Sequence, residues 1–406
     1  MFVRIGNTPR DYAWGSTTEI AGLLGTTPSG YPEAELWLGA HAGSPSVILD
    51  PSQVDGAPDL AAWIGRDPGE ALGDASGRLP YLLKVLAAAG PLSLQAHPSN
   101  AQAEAGFARE NAAGIPLDSP DRNYKDASHK PELIFALSDT FDALCGFRDV
   151  ARSAALFGRL AASATNERRD TIESFARTLD GDPSAVLRSA TEWLLGGDPA
   201  VSRLVGAVSA TAETIVPDAG GDDLAVAADT VRMLAAAFPG DPGIVLALLL
   251  NRVTLTPGQV LYLPAGNIHA YLRGLGIELM AASDNVLRGG LTPKRIDVPE
   301  LVSILDFSPI DAKPLAPEHP APGVEVFRPD VPDFALDHVV VGGAVAEARL
   351  PLPGPAIALS TGGVVTIAGA HGSVELSRGE SVFVTPDEGE LTVRGDGTLF
   401  VATPNV

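Results

Sequence analysis

Short apolar runs separated by turns fill the first third of the chain. Leu79–Ala89 and Leu133–Leu137 predict strands, with a few short helices between strands of this kind. Leu92–Pro98 has a different texture. Leu92, Leu94 and Ala96 alternate with Ser93, Gln95 and His97, the period of a strand whose two faces differ. One face is apolar. The other presents a hydroxyl, an amide and an imidazole in a row. An outer sheet surface would more often carry Thr, Lys or Glu, so this row suits the inside of a barrel that holds a ligand or a metal. Ser99–Glu110 predicts a helix that starts directly after the strand, capped by Ser99 or Asn100.

The period changes near Val150. Ile172, Phe175 and Leu179 are spaced for one helix face, as are Leu187, Ala190 and Leu194. A third stripe runs through Leu224, Ala228, Val231, Leu234 and Phe238. These stripes predict a helical domain over 151–250, with core residues and no chemistry of its own. Strand character returns at Arg252. Leu255-Thr256-Pro257-Gly258 predicts a turn and Val260–Leu263 a strand; Pro264-Ala265-Gly266-Asn267 and Ile268–Leu272 repeat that order. From about Pro317, Pro-rich linkers give way to short strands as far as Phe400. The segment Leu255–Pro264 is echoed by Leu376–Thr385, each a Gly turn feeding an apolar strand, which predicts two copies of one β-unit. His269 follows the first copy. Glu390 stands at the matching distance after the second, so the second unit is expected to be structural.

Composition narrows the function. At 406 residues and 45% hydrophobic, the chain can build two or three cores. Its 43 Gly and 34 Pro agree with many turns. A net charge of −22 argues against nucleic acid and anionic membranes as partners, and favours a soluble monomer. It also means that any phosphate site needs local cations. The single cysteine, Cys145, permits no internal disulfide and reads as a buried structural thiol. Met1–Ile20 has no apolar leader, and the longest apolar run, Ile244–Leu250, is too short to span a bilayer. A cytoplasmic protein is expected.

Seven histidines leave few candidates for chemistry. His319, His338 and His371 read as surface or loop residues without polar partners. His41, near Trp37 and Glu35, reads as structural or as support for a site. His97 shares a strand face with Gln95, and His269 lies close to Asn267 and Tyr271. Between them comes His129-Lys130-Pro131-Glu132, in which Pro131 keeps Lys130 extended, so that Lys130 and Glu132 point the same way. Two imidazoles, a carboxylate and an amide oxygen form a divalent metal set that suits Zn2+, and equally Fe2+. Farther on, Ser283-Asp284-Asn285-Val286-Leu287-Arg288-Gly289-Gly290-Leu291-Thr292-Pro293-Lys294 reads as a flexible Gly-rich loop whose two cations could meet an anion.

Taken together and in this order, Ser-Leu-Gln-Ala-His-Pro (93–98), His-Lys-Pro-Glu (129–132), Pro-Ala-Gly-Asn-Ile-His-Ala-Tyr (264–271) and the 283–294 segment resemble the motifs of type I mannose-6-phosphate isomerases. Asp11–Gly15 and Ala143–Arg148 resemble two further segments of that family. The resemblance is strong over 1–150 and 250–310. It implies a mainly β chain of cupin (jelly-roll) barrels with an inserted helical domain. The catalytic cupin domain would be 1–150 plus 251–318, the helical domain 151–250 and a C-terminal cupin-like domain 319–406. It implies one zinc per chain held by Gln95, His97, Glu132 and His269. Arg288 is placed as catalytic, and Ser93, Lys130, Tyr271, Glu278, Asp284 and Lys294 as lining the sugar-phosphate site. Gly289 stands where many relatives carry Ala, which would loosen the loop. The implied reaction interconverts mannose 6-phosphate and fructose 6-phosphate through a cis-enediol, in mannose breakdown or in supply of GDP-mannose. Glu278, Asp284 and Lys130 all remain open as the base. Arg288 stays protonated in proteins, which favours an electrostatic role for it. A cupin Fe2+ oxygenase and a non-enzymatic sugar-phosphate-binding cupin are the alternatives.

Overall fold

A computed structural model describes residues 1–73, 77–216 and 222–405. The chain begins with β1 (Phe2–Gly6), α1 (Glu19–Leu24), β2 (Glu35–Leu38) and β3 (Val47–Ile48). Next come α2 (Leu60–Arg66), α3 (Pro68–Leu72), β4 (Tyr81–Ala88), β5 (Leu94–Ala96) and α4 (Asn100–Ala112). Two strands, β6 (Glu132–Ala136) and β7 (Phe141–Phe147), close this part. The helical stretch holds α5 (Val150–Ser163), α6 (Asn166–Ala176), α7 (Pro183–Leu195), α8 (Pro199–Ala212), α9 (Asp223–Ala237) and α10 (Gly243–Ala247). Strands resume with β8 (Leu250–Leu255), β9 (Val260–Leu263), β10 (His269–Ala281) and β11 (Leu287–Gly290), followed by α11 (Val298–Ile304). The C-terminal unit contains β12 (Glu318–Ala321), β13 (Val324–Phe327), β14 (Ala335–Val341) and β15 (Glu347–Leu350). It ends with β16 (Ala356–Ala368), β17 (Ser373–Ser377), β18 (Ser381–Val384) and β19 (Leu391–Thr403).

Local chemistry sets the element ends. Ser99 and Gln102 form a reciprocal capping box at the start of α4. Helices α7 and α8 each start with Pro after a capping Asp, Asp182 and Asp198. The three helical stripes pack into one core, with Ile172, Leu187, Leu194, Ala228, Val231 and Leu234 at or near zero exposure.

Two sheets carry the rest, one of nine strands and one of ten. In the nine-stranded sheet, β10 is the spine. Its first half pairs with β5 and β7, and its second half with β4 and β6. The strand turns between the halves at Gly274, where φ is +127° and a Cβ would lie 2.7 Å from the Phe141 ring; only glycine fits. On β4, Leu83, Val85 and Ala87 face a core shared with the second sheet, while Leu86 and Ala88 face the barrel interior.

Strand β1 pairs with β18 and so lies in the sheet of the C-terminal unit. Two expectations require correction. The C-terminal strands are not all short, since β16 and β19 run 13 residues each. His338 is no isolated surface residue. It lies opposite Glu325, bonds it at 2.9 Å and stacks on Phe400. Its partner came from the neighbouring strand, which sequence spacing along one strand does not show.

Candidate active site

Strand pairing assembles the site. Gln95 on β5 lies opposite His269 on β10 and also opposite Arg288 on β11. Residues opposite one another share a sheet face, so guanidinium, amide and imidazole form one row across three strands. Ser93 precedes the short strand and His97 follows it directly. A second row crosses β2, β4 and β10 through Trp37, Lys84 and Glu278.

His97 and His269 are fully buried, with ring centroids 5.1 Å apart. His97 Nδ1 lies 2.7 Å from the Asn285 carbonyl oxygen, and His269 Nδ1 lies 3.0 Å from that of Asn267. A carbonyl only accepts, so each Nδ1 carries the proton and each Nε2 presents a lone pair. Both Nε2 atoms lack a hydrogen-bond partner. They face the two oxygens of Glu132, at 3.4 Å from His97 and 3.3 Å from His269. Buried lone pairs converging on a carboxylate are unfavourable unless a cation lies among them. The donor set and the carbonyl bonds behind each imidazole therefore fit a divalent metal. Among the described residues this is the only such cluster of three.

Protonation agrees with that use. Burial lowers His97 to about 4, so it is neutral near pH 7. Burial alone would raise Glu132, but Lys130 and the two histidines outweigh it and hold the carboxyl well below its usual range. Lys130 Nζ donates to Glu132 Oε1 at 2.7 Å.

The cations expected to meet a phosphate stand close to one another. Burial lowers Arg288, and the positive charge of Arg288 in turn lowers the exposed Lys294. Their setting differs from the expected flexible loop. Leu287–Gly290 is a strand edge, and a Cβ at Gly289 would lie 3.2 Å from Ile268 and 3.3 Å from Leu301. Gly289 thus reflects tight packing rather than looseness. Gly290 is the conformationally demanding glycine, at φ +128° against Gly243.

Glu278 is buried and raised by that burial, despite the Lys84 ammonium 2.9 Å away. Tyr271 is buried, and its hydroxyl has no hydrogen-bond partner. Asp284 is half exposed and paired with His41 at 3.1 Å, which holds it below its usual value against the effect of burial. His41 itself stands edge-on to Trp37. Lys84 is the group that sequence reading missed. It is buried, paired with Glu278 and Glu35, and 5.1 Å above the Trp37 ring. The signal was available: a lone ammonium within the otherwise apolar Tyr81–Ala88 segment must face carboxylates.

A polar barrel interior with a metal-ligating cluster, joined to inserted helices and a second barrel, defines a cupin metalloenzyme. Residues 2–150 match the phosphomannose isomerase type I catalytic domain. The chain is similar to mannose-6-phosphate isomerase of Escherichia coli (strain K12), 37% identical over 402 residues and 97% of each chain. It is also similar to that of Rattus norvegicus, 33% identical over 93% of this chain and 92% of the relative. A crystal structure of mannose 6-phosphate isomerase bound with zinc and yttrium superposes with a TM-score of 0.85, at 34% identity and full coverage of both chains. A zinc-bound holo structure gives 0.86 at the same identity and coverage. The chain belongs to the type I mannose-6-phosphate isomerase family.

Proposed function

We propose that the chain interconverts mannose 6-phosphate and fructose 6-phosphate through a cis-enediol, with one zinc per chain held by Gln95, His97, Glu132 and His269. The observation that carries this reading is the pair of unpartnered Nε2 atoms facing one carboxylate, in strand register with Arg288. Zinc bound there supplies an electrophile for the oxygens of the developing enediolate.

The side chains do the rest. Arg288 remains a cation and stabilises negative charge, and Lys294 shares the phosphate with it. Together they supply the local positive charge that a chain of net −22 otherwise denies a sugar phosphate. Ser93 and Tyr271 offer hydroxyls to the sugar. Three charged groups around the sugar differ in environment, which divides binding from proton transfer. Lys130, bonded to Glu132, serves as a hydrogen-bond donor that binds the sugar. Asp284 is a carboxylate open to solvent and backed by His41, which suits proton exchange with bulk water during ring opening. Glu278, raised by burial, is the better base and is assigned the transfer between C2 and C1.

The single cysteine fits a reducing, cytoplasmic setting. Among the described residues no helix is long and apolar enough to cross a membrane. The test is direct. Purified protein is incubated with mannose 6-phosphate and fructose 6-phosphate is followed, before chelation, after chelation and after zinc return. Reversible loss of product formation supports the reading. Oxygen consumption, or binding without turnover, sinks it.

A further inference from the structure

The C-terminal unit offers no metal-ligating cluster among the described residues, yet it touches the site. The loop between β13 and β14 presents Asp333 toward the catalytic barrel. Its Oδ2 accepts from His129 Nε2 at 2.7 Å. Both side chains are mostly buried, at 15% and 19% exposure, which protects the pair from the solvent competition that weakens surface contacts. We infer that Asp333 is a positioning residue for the reaction: from the second barrel it holds His129, and through the stiff His129-Lys130-Pro131-Glu132 segment it fixes where Lys130 meets substrate. The inference rests on the isomerase reading above.

The structure around Asp333 is built for this. Asn405, just beyond the end of β19, holds the loop through four hydrogen bonds. Its Nδ2 donates to the carbonyls of Pro329 at 2.9 Å and Val331 at 2.8 Å. Its backbone N–H donates to Pro332 at 3.0 Å. Its Oδ1 accepts from Arg328 at 3.1 Å. Side chain and backbone of Asn405 thereby tie down Arg328–Pro332, and Asp333 is the residue the loop delivers. On the receiving side, the catalytic barrel holds the main chain both before and after Lys130. The His129 N–H donates to Asn100 Oδ1 at 2.9 Å, and Asn285 Nδ2 donates to the Ser128 carbonyl at 2.8 Å. Ser283 Oγ also donates to the Ser128 carbonyl, and the Ala281 N–H to the Pro131 carbonyl, each at 3.1 Å; these contacts hold the main chain and leave the rotation of the His129 ring to its side-chain partner. Asp333 removes that freedom. Pro131 then transmits it, because its ring fixes one backbone dihedral and restricts Lys130 as well.

The test compares Asp333→Ala, Asp333→Asn and Asn405→Ala in zinc-loaded full-length protein. Asparagine keeps an acceptor for His129 and alanine does not. In Asp333→Ala, KM for mannose 6-phosphate should rise about tenfold, the scale of one lost bond to a polar partner, with kcat within about twofold and zinc content unchanged. Asp333→Asn should restore KM to within about threefold of the unmodified protein. Asn405→Ala, which loosens the loop without touching His129, should move KM the same way by a smaller factor. Amide exchange over Ala127–Lys130 should quicken in Asp333→Ala and not in Asp333→Asn. Unchanged KM in Asp333→Ala, or equal damage from alanine and asparagine, overturns the inference. If the unmodified protein does not turn over mannose 6-phosphate, the isomerase reading fails. The exchange experiment then still decides whether Asp333 orders the segment.

Discussion

The two barrels share a construction and differ in what fills them. In each, a glycine turn feeds an apolar strand: Gly258 at φ +90° before β9, and Gly379 at φ +87° before β18. In the first barrel the interior holds His97, Glu132, His269, Lys84 and Glu278, with the half-buried Gln95 opposite His269. In the second it holds Val326, Val339, Val341, Ala358, Val365 and Val401. Where the first has His269, the second has Glu390 on the surface, paired with Arg349. One β-unit thus serves two ends. An aliphatic interior is stabilised by burial and close packing. A polar interior gives up that stabilisation and needs every buried group partnered, by a neighbour or by a bound ion. The comparison separates fold from function, because the backbone motif is common and the chemistry lies in a few side chains.

The sharpest way to break this contrast is to remove one imidazole. His97→Ala should abolish zinc retention and lower turnover by about 1,000-fold or more, whereas Glu390→Ala in the second barrel should change neither; metal analysis and a coupled assay on both proteins check it. Arg288→Ala should lower turnover about 100-fold, the scale of one lost electrostatic donor, and leave metal content intact. Near-normal turnover would remove Arg288 from the site. Gln95→Ala should weaken zinc binding less than His97→Ala, because a neutral amide oxygen is the poorer ligand; chelator competition on the two variants gives the order.

The smallest effect probes the second barrel. Asp337 points into its aliphatic interior, 6% exposed, opposite Val326 and Val401. Burial raises it to about 7, with Arg328 opposing. A carboxyl raised on folding contributes stability below its unfolded value near 4, and that contribution is lost as pH rises to about 7. The protein should therefore lose up to about 4 kcal/mol across that window through this one group. Asp337→Asn should flatten the slope and raise the melting temperature at pH 8, without changing turnover. An unchanged melting curve at pH 8 would show that water or a cation already satisfies the carboxylate.

Much of this was legible in the chain. The alternation of Ser93, Gln95 and His97, the Lys130–Glu132 pairing, the helical stripes and the glycine echo depend on neighbours within a turn or a strand. Their physics is local and can be read directly. Lys84 was legible too, as the lone charge in an apolar run, but its partners were not. His338 was misjudged for the same reason: its carboxylate lies on the next strand. Leu287–Gly290 looked like a free loop because its pairing with Leu94–Ala96 is invisible from the glycines themselves.

The sequence by itself determined the periods, the caps and turns, the supply of ligand-type side chains and the excess of negative charge. The tertiary structure alone decided which of those side chains meet. His97 takes its orienting carbonyl from Asn285, 188 residues away. His129 takes its carboxylate from the other barrel, 204 residues away. Strand register and barrel docking are set by the summed burial of whole faces, so no single residue carries the information for them.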